Sequence, residues 1–202
     1  MLNIALVGAT GNIGQTILSE ALSRGYRVTG TTRDATKLPN GPNLKVAEVH
    51  PSATMALADV LRDHDAIVVS LKWNDNDINL IVDAIRQSGV SRAIIVVGAG
   101  SLLRDDGRLH FDHMPTPPPS SKPAMVALEI IRKIDDFDWT AISPPAVIQP
   151  GERTGRFAID TDHMVAGRDG NCRISREDFA VAIIDELENP KFIKQRFTVG
   201  YR

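Results

Sequence analysis

The sequence is short of cysteine, of tyrosine and of unbalanced charge. In 202 residues it has one cysteine, Cys172, two tyrosines, Tyr26 and Tyr201, and 23 Lys and Arg residues against 25 Asp and Glu residues. A lone cysteine cannot form an internal disulfide, which is typical of proteins from the reducing cytoplasm. A chain with balanced charges lacks the clustered basic residues that nucleic acid and anionic membranes attract, so neither is an expected partner.

Long apolar runs are also missing. The first one, Leu2–Val7, is interrupted by Gly8, and nothing later approaches the roughly 20 residues that a membrane-spanning helix needs. No group of cysteine and histidine residues has the spacing of a zinc site, so no metal is expected. We therefore expect one cytoplasmic domain over residues 1–202 that acts on a small molecule.

What the sequence does contain is an alternation of short β-branched runs with longer helical patterns. This alternation predicts an α/β fold with a doubly wound (Rossmann) parallel sheet and helices on both faces. The predicted strands cover residues 2–7, 27–32, 44–49, 65–71, 92–97, 139–143 and 196–201. The predicted helices cover residues 13–25, with Gly25 as C-cap, 53–62, 78–87, 124–134 and 175–188, the last opened by the capping box Ser175-x-x-Asp178.

Two segments depart from this rhythm. Residues 102–123 carry two histidines and five prolines, which predicts an irregular loop of the kind that often has a function. Pro144 and Pro145 must end the sixth strand, because proline cannot donate to a sheet ladder. Residues 144–202 are then expected to form a small cap on the substrate side of the same domain.

The motif that bears on function is Gly8-Ala9-Thr10-Gly11-Asn12-Ile13-Gly14, between the first strand and the first helix. At such a junction a dinucleotide pyrophosphate meets the free N–H groups of a helix N-terminus. Gly8 permits a tight turn, Gly11 lets the backbone approach the phosphates, and Gly14 lets the helix pack closely on the strand. The placement of the motif, more than its spacing, predicts a dinucleotide-binding site.

The end of the second strand indicates which dinucleotide is bound. An acidic residue there would bond the ribose 2′-OH of NAD, whereas an arginine accommodates the 2′-phosphate of NADP. Arg33 stands at this place, and Asp34 follows it. The planar guanidinium suits a phosphate better than a hydroxyl, so we expect NADP(H) to be preferred over NAD(H). The alternative is that Arg33 is an ordinary solvated charge.

Small and hydroxyl-bearing residues follow three other strands, at the edge where parallel sheets bind ligands. They would let nicotinamide and ribose lie close to the backbone and would donate to a carboxamide or a carbonyl. Ser101 is either such a donor or only a structural cap. The candidates are Ser70, Leu71 and Lys72 after the fourth strand, Gly98, Ala99 and Ser101 after the fifth, and Ser143 and Pro144 after the sixth.

Taken together, these residues resemble the atypical short-chain dehydrogenase/reductases, and within them the small NAD(P)H-binding group that includes biliverdin-IXβ reductase and the NADH-flavin reductases. The resemblance covers nearly the whole chain and rests on Gly8–Gly14, Arg33, Gly98–Ser101, Trp139–Pro144, Pro150–Gly155, Asp178–Ala180 and Arg196–Tyr201. Regulators of nitrogen-metabolite repression are similar as well, and they bind dinucleotide without evident turnover. The resemblance implies that Arg33 holds the 2′-phosphate, that Ser101 lies beside the nicotinamide, and that the pyrophosphate is held by Gly8, Thr10, Gly11, Asn12 and Ile13.

One departure from that family matters for the chemistry. Many relatives carry a Tyr-Lys pair before the helix that follows the fifth strand, whereas this sequence has Ser121-Lys122. Neither Tyr26 nor Tyr201 has a lysine four positions on, so the usual phenolic acid is absent. Lys122 is either a residue that orients a ribose or a solvated charge at a helix start.

Three further side chains allow functional interpretations that the sequence leaves open. His110 and His113 lack a third metal ligand and are best explained as exposed loop residues, although His113 could donate a proton. Trp73 could stack on a flat substrate or could simply be half-buried.

We therefore expect an enzyme, an NAD(P)H-dependent reductase that transfers hydride from NADPH to a flat acceptor such as a flavin, a quinone or a tetrapyrrole. Its pocket would be formed by Lys72, Trp73, Ser101, the 102–123 loop and the segment after Ser143, with Ser101 and Lys122 as candidate catalytic residues. Flavin-type acceptors can take a proton from water, so the missing tyrosine is tolerable. The alternative is a non-catalytic regulatory protein that senses NADP(H).

Overall fold

The computed structural model describes residues 1–202 and contains ten strands. They are β1 (Asn3–Val7), β2 (Arg27–Thr32), β3 (Leu44–Glu48), β4 (Ala66–Val69), β5 (Arg92–Val96), β6 (Asp138–Ser143), β7 (Val147–Gln149), β8 (Ala158–Asp160), β9 (Arg173–Ser175) and β10 (Gln195–Gly200). Eight of them form one sheet in the order β3-β2-β1-β4-β5-β6-β10-β8, and β7 pairs with β9 in a separate ribbon. Within the large sheet only β8 runs antiparallel, beside β10 at the edge.

Helices cover both faces of this sheet. They are α1 (Asn12–Ser23), α2 (Thr54–Leu61), α3 (Ile78–Ser88), α4 (Ser121–Ile131) and α5 (Arg176–Glu188). Helices α2, α3 and α4 bury one apolar cluster against the sheet, and α1 and α5 bury another on the opposite face. The central strands are apolar throughout because both of their faces are covered, as Ile67 and Val68 of β4 illustrate. No helix is long and apolar enough to cross a membrane.

The predicted doubly wound parallel sheet is confirmed, with small differences at the ends of the elements. The largest difference among the helices concerns α4, which begins at Ser121 rather than at Ala124. Pro123 lies in the first turn of this helix, where a backbone N–H would have no partner in the helix in any case. Proline therefore does not delay the start of α4.

Residues 144–202 contribute more to the main layers than a small cap would. Strand β10 extends the sheet beside β6, and α5 packs against α1. The β7–β9 ribbon of this segment lies outside the main sheet. Of the predicted irregular segment 102–123, residues 102–120 are irregular, with a single helical turn at His110–His113, and residues 121–123 belong to α4.

A buried carboxylate ties the later part of the chain to α5. Asp178 is fully buried and accepts hydrogen bonds from the backbone N–H groups of Thr154 (2.8 Å) and Gly155 (2.7 Å). It also accepts from Thr154 Oγ1 (2.5 Å) and from the Tyr201 hydroxyl (2.7 Å). Four donors satisfy the carboxylate, which is the condition under which a buried acidic group is tolerated.

The predicted cap of α5 forms in a modified way. Ser175 Oγ accepts the backbone N–H of Asp178 (3.0 Å), as a capping box requires. The second bond of a capping box, from the backbone N–H of Ser175 to the Asp178 carboxylate, is missing. That carboxylate accepts from Thr154 and Gly155 instead. The N–H of Ser175 donates to the Tyr201 hydroxyl instead (3.2 Å), so the C-terminal tail completes the cap.

Replacing Asp178 tests this arrangement. Asp178→Asn would turn an amide N–H toward groups that are themselves donors, and we expect it to lower the free energy of unfolding by about 3 kcal/mol. The matched control is Asp185→Asn in the same helix, where the carboxylate is 54% exposed and pairs with Arg24. We expect the control to change stability by about 0.5 kcal/mol at most. Urea denaturation measures both, and equal losses would contradict the central role of Asp178.

Candidate functional site

The turn between β1 and α1 brings glycines against backbone carbonyls. Gly8 has a φ of 89°, a left-handed conformation that favours glycine. A Cβ on Gly8 would lie 2.3 Å from the carbonyl oxygen of Ser70, and a Cβ on Gly14 would lie 2.1 Å from the carbonyl oxygen of Gly8. Since no side chain fits at either position, α1 starts directly against the carboxyl ends of β1 and β4.

The N-terminus of α1 is open to a ligand. Gly11 is its N-cap residue, no side chain caps the first turn, and that turn contains no acidic residue. Free N–H groups at a helix start attract an anion, and without a competing carboxylate they are left to a phosphate. The five residues predicted to hold the pyrophosphate lie together around this helix end, namely Gly8, Thr10, Gly11, Asn12 and Ile13.

This helix end lies where the order of the strands reverses. Strand β1 has β2 on one side and β4 on the other, and doubly wound sheets bind ligands in the crevice outside such a point. The loop after β4 borders the crevice with Ser70, whose carbonyl contacts Gly8, and with Leu71, which packs beside it. Lys72 follows and is exposed. These predicted residues therefore lie beside the glycine turn.

Arg33 and Asp34 follow β2 and have different environments. Arg33 is exposed and has no partner among the side chains. Asp34 caps the short turn Ala35–Lys37, and its carboxylate accepts from the backbone N–H (3.1 Å) and the hydroxyl (2.6 Å) of Thr36. The bonds from Thr36 hold the pKa of Asp34 below its usual range. The guanidinium is therefore free for a ligand, whereas the neighbouring carboxylate is engaged.

The glycines after β5 allow this loop to pass close to α4. A Cβ on Gly98 would lie 2.8 Å from the Cβ of Ala124, and a Cβ on Gly100 would lie 3.2 Å from Met125 Sδ. The single helical turn Ala99–Ser101 is therefore held against the start of α4. This contact brings the predicted residues Gly98, Ala99 and Ser101 to the edge of the sheet that carries the glycine turn.

Lys122 lies in the first turn of α4, and its side chain is directed to the irregular loop. Its Nζ is 5.7 Å from the centre of the Phe111 ring, a cation–π distance. The ammonium is otherwise exposed and forms no ion pair. A contact between Lys122 and a ribose therefore stays a prediction.

The hydroxyl of Ser101 is held by a buried arginine of β10. Arg196, with a side chain only 3% exposed, donates from Nη1 to the Oγ (3.2 Å) and the carbonyl oxygen (3.4 Å) of Ser101. Nη2 of Arg196 binds the carboxylate of Asp162. Because Ser101 Oγ accepts the bond from Arg196, its own proton remains available to a ligand.

Two predicted pocket residues are buried. Ser143 is fully buried at the end of β6, and its hydroxyl has no partner, so a contact with the cofactor stays a prediction, as it does for the half-buried Pro144. Trp73 is 5% exposed, and its indole N–H donates to the carbonyl of Val96 (2.9 Å). The prediction that Trp73 lines the pocket is wrong, because the ring packs in the core under the helices.

The histidines of the 102–123 loop bond within that loop or not at all. His113 Nε2 lies 3.2 Å from Asp106, whose pKa is lowered to about 2, mainly by the backbone and side chain of Arg108 and further by His113. Burial lowers the pKa of His110, and its Nδ1 has no partner. No three His, Cys, Asp or Glu residues come together as metal ligands.

Both tyrosines are engaged in hydrogen bonds to carboxylates. The Tyr26 hydroxyl donates to Glu188 (2.5 Å), and the Tyr201 hydroxyl donates to Asp178 (2.7 Å). The bond to Glu188 raises the pKa of Tyr26, and burial raises that of Tyr201. Neither phenol is directed to Ser101.

Helix α1 is also clamped to the segment after β7. Glu20 is 5% exposed and accepts from Nε (2.7 Å) and Nη2 (2.8 Å) of Arg153, and from Nε of Arg24 (2.7 Å). The hydrogen bonds from Arg153 hold the pKa of Glu20 below its usual range, although burial acts in the opposite direction. The segment around Arg153 is therefore tied to the helix that carries the glycine turn.

Sequence reasoning assigned no role to the charged residues that make these ties. Glu20 lies on the apolar face of α1 beside Ile17 and Ala21, and Arg196 is the first buried residue of β10. The sequence signal that could have identified them is a charged residue at a position where the pattern predicts burial. Such a residue needs a partner inside the fold. The identity of each partner depends on the tertiary structure.

A surface cleft lies at the other edge of the sheet. It has a volume of about 550 Å³ and lies at the amino ends of β1 and β2, lined by polar residues that include Arg27, Lys45 and His64. Parallel sheets bind ligands at the carboxyl ends of their strands. The glycine turn and the open helix end, rather than cavity size, therefore mark the candidate site.

Known proteins resemble this chain over its whole length. It is 31% identical to the uncharacterized protein YwnB of Bacillus subtilis (strain 168), with 98% of each chain covered. A crystal structure from Bacteroides thetaiotaomicron, named "putative epimerase", is 36% identical with a TM-score of 0.93 and covers 99% of this chain and 97% of its own. A structure from Streptococcus pneumoniae TIGR4, named "putative NADH-flavin reductase", is 24% identical with a TM-score of 0.83 and full coverage of both chains.

The family model for NAD(P)H-binding proteins matches residues 8–190. The match begins at the first glycine of the turn and extends through α5, so it includes the open helix end, the loops after β4, β5 and β6, and the residue Arg33. The chain therefore belongs to the NAD(P)H-binding family.

Proposed function

We propose that this protein is a reductase that transfers hydride from NADPH to a flat acceptor such as a flavin, a quinone or a tetrapyrrole. The observation that carries the choice of NADPH is the free guanidinium of Arg33 beside the engaged carboxylate of Asp34. The name of the Streptococcus pneumoniae structure, "putative NADH-flavin reductase", supports flavin as the acceptor class, while the cofactor that it gives is NADH rather than NADPH.

The residues of the crevice fit such a cofactor. The uncapped start of α1 would receive the pyrophosphate at Gly11, Asn12 and Ile13, and Arg33 would pair with the 2′-phosphate. Gly98 and Ala99 would lie beside the nicotinamide, which supplies the hydride when the cofactor is bound. Side chains larger than hydrogen do not fit at Gly8 and Gly14, so the backbone stays close enough to contact the phosphates.

The acceptor must also receive a proton, since one NADPH and one proton convert a two-electron acceptor into its reduced form. Ser101 is the candidate donor of a hydrogen bond to the acceptor, because Arg196 occupies its oxygen and leaves its proton free. A flavin or a quinone can take its proton from water, so no tyrosine is required for this class of acceptor.

A non-catalytic NADP(H) sensor is the second candidate. The observation that favours it is the engagement of Tyr26 and Tyr201 with Glu188 and Asp178, which leaves no phenolic acid for reduction of a carbonyl. A sensor would bind the dinucleotide at the same helix end and pass its presence to a protein partner.

Turnover assays distinguish the two candidates. NADPH oxidation is followed by absorbance with FMN, a short-chain quinone and biliverdin, and we expect a turnover number of at least about 1 s⁻¹ with one of them. Oxidation no faster than the reaction without protein, together with tight NADPH binding in the same preparation, would reject the reductase and favour the sensor.

Replacement of Arg33 tests the cofactor assignment. Arg33→Ala removes the guanidinium proposed to pair with the 2′-phosphate, so we expect the Kd of NADPH to rise about tenfold or more and that of NADH to rise less than about twofold. Arg27→Ala, at the other end of β2, is the matched control, because Arg27 is exposed and lies away from the crevice. Calorimetric titration of the wild type and both variants with NADPH and NADH measures the six constants. Equal losses for NADPH and NADH would contradict the assignment.

A further inference from the structure

A small basic cleft lies on the α4 face of the sheet, at the amino ends of β6 and β10. It has a volume of about 260 Å³, and its charged lining residues are the cations Arg132, Lys194 and Arg196 and the single carboxylate Asp162. The glycine turn and Arg33 lie at the carboxyl edge of the sheet, away from this cleft, and Arg196 is the lining residue that connects the cleft to the candidate site, through Ser101.

Arg196 is a buried cation whose hydrogen-bonding capacity is incompletely used. Its side chain is 3% exposed, Nη1 donates to Ser101, and Nη2 binds Asp162. Its Nε is buried without any partner. The Nε is enclosed and cannot reach a ligand, but the guanidinium lines the cleft, so its positive charge acts on an anion bound there.

The one lining carboxylate does not balance the cations. Asp162 is 51% exposed and is shared by Arg196 and, at 3.9 Å, by Arg132. Glu129 also pairs with Arg132 (2.7 Å), from outside the cleft. Lys194 bonds only a neutral oxygen, the carbonyl of Asp135 (2.8 Å). Within the lining itself, three cations therefore face one carboxylate, and the other carboxylates that act on these cations, Glu129 and Asp136, lie outside it.

The backbone conformation of Lys194 is a separate observation at this cleft. Its φ is 55°, and only Lys194 and Asp63 among the non-glycine residues of the chain have positive φ. A lysine in the left-handed region is strained, and such strain persists where the position of the side chain serves a purpose. Here the strained conformation places a lysine on the rim of a cleft that already contains two arginines.

We propose that this cleft binds a compact phosphate group, either the free ion or the terminal phosphate of a small metabolite. Guanidinium groups match the oxygen atoms of a phosphate with paired hydrogen bonds, and Lys194 adds a point charge. The volume of about 260 Å³ is small for a dinucleotide and sufficient for one phosphate group. The proposal is independent of the reductase function, because it concerns binding alone.

Calorimetric titration with inorganic phosphate tests the proposal on protein saturated with NADP⁺, so that the phosphate positions of the cofactor are filled. We expect one site with a Kd of about 1 mM or lower. Arg132→Gln and Lys194→Gln should each weaken binding about fivefold, and the double variant should lose it. Lys133→Gln is the matched control, since Lys133 is an exposed neighbour of Arg132 outside the cleft, and it should leave the Kd unchanged.

A second variant separates loss of binding from loss of folding. Lys194→Gly removes the cation and also relieves the left-handed conformation, so its melting temperature should rise while phosphate binding weakens about fivefold. A parallel titration with glycerol 3-phosphate tells whether the bound phosphate group belongs to a metabolite or is the free ion. Binding of the ester indicates a metabolite, and binding of inorganic phosphate alone indicates the free ion. Unchanged affinity in the Arg132 and Lys194 variants, or no binding once NADP⁺ saturates the protein, would overturn the proposal.

Discussion

The contact between α1 and the carbonyl of Gly8 is the constraint on which the functional account depends. A Cβ on Gly14 would lie 2.1 Å from that oxygen, so the helix can begin directly above β1 only while position 14 is glycine. The same turn leaves the first N–H groups of α1 without a side-chain cap and places them at the point where the strand order reverses. Close packing and anion binding are therefore two results of one local geometry.

Long-range polar ties hold the remainder of the chain around this helix. Glu20 joins α1 to the segment after β7 through Arg153, and Asp178 joins the same segment to α5 and to the C-terminal tail. Arg196 holds the loop after β5 through Ser101. Each tie depends on a buried charged side chain, and each acts on a loop that has few regular backbone bonds of its own. The sheet provides the crevice, and these side chains fix the loops that border it.

The sequence was sufficient for the sheet and for the glycine turn, because each depends on local pattern. Strands covered on both faces appear as β-branched runs, and β2 has the predicted bounds. The bond between Glu20 and Arg153 spans 133 residues, and the bond between Ser101 and Arg196 spans 95, so no local pattern could indicate either. Trp73 was misplaced because periodicity does not tell whether a loop aromatic faces the crevice or returns to the core.

The central claim is that an NADP(H) pyrophosphate binds at the uncapped start of α1. Two-dimensional ¹H–¹⁵N NMR during titration with NADP⁺ tests it most directly, because it reports on each backbone amide without requiring turnover. The account predicts that the largest shifts occur at the amides of Gly11, Asn12 and Ile13, with a further shift at Arg33. The largest shifts at Arg27, Lys45 and His64, which line the cleft at the opposite edge of the sheet, would contradict it.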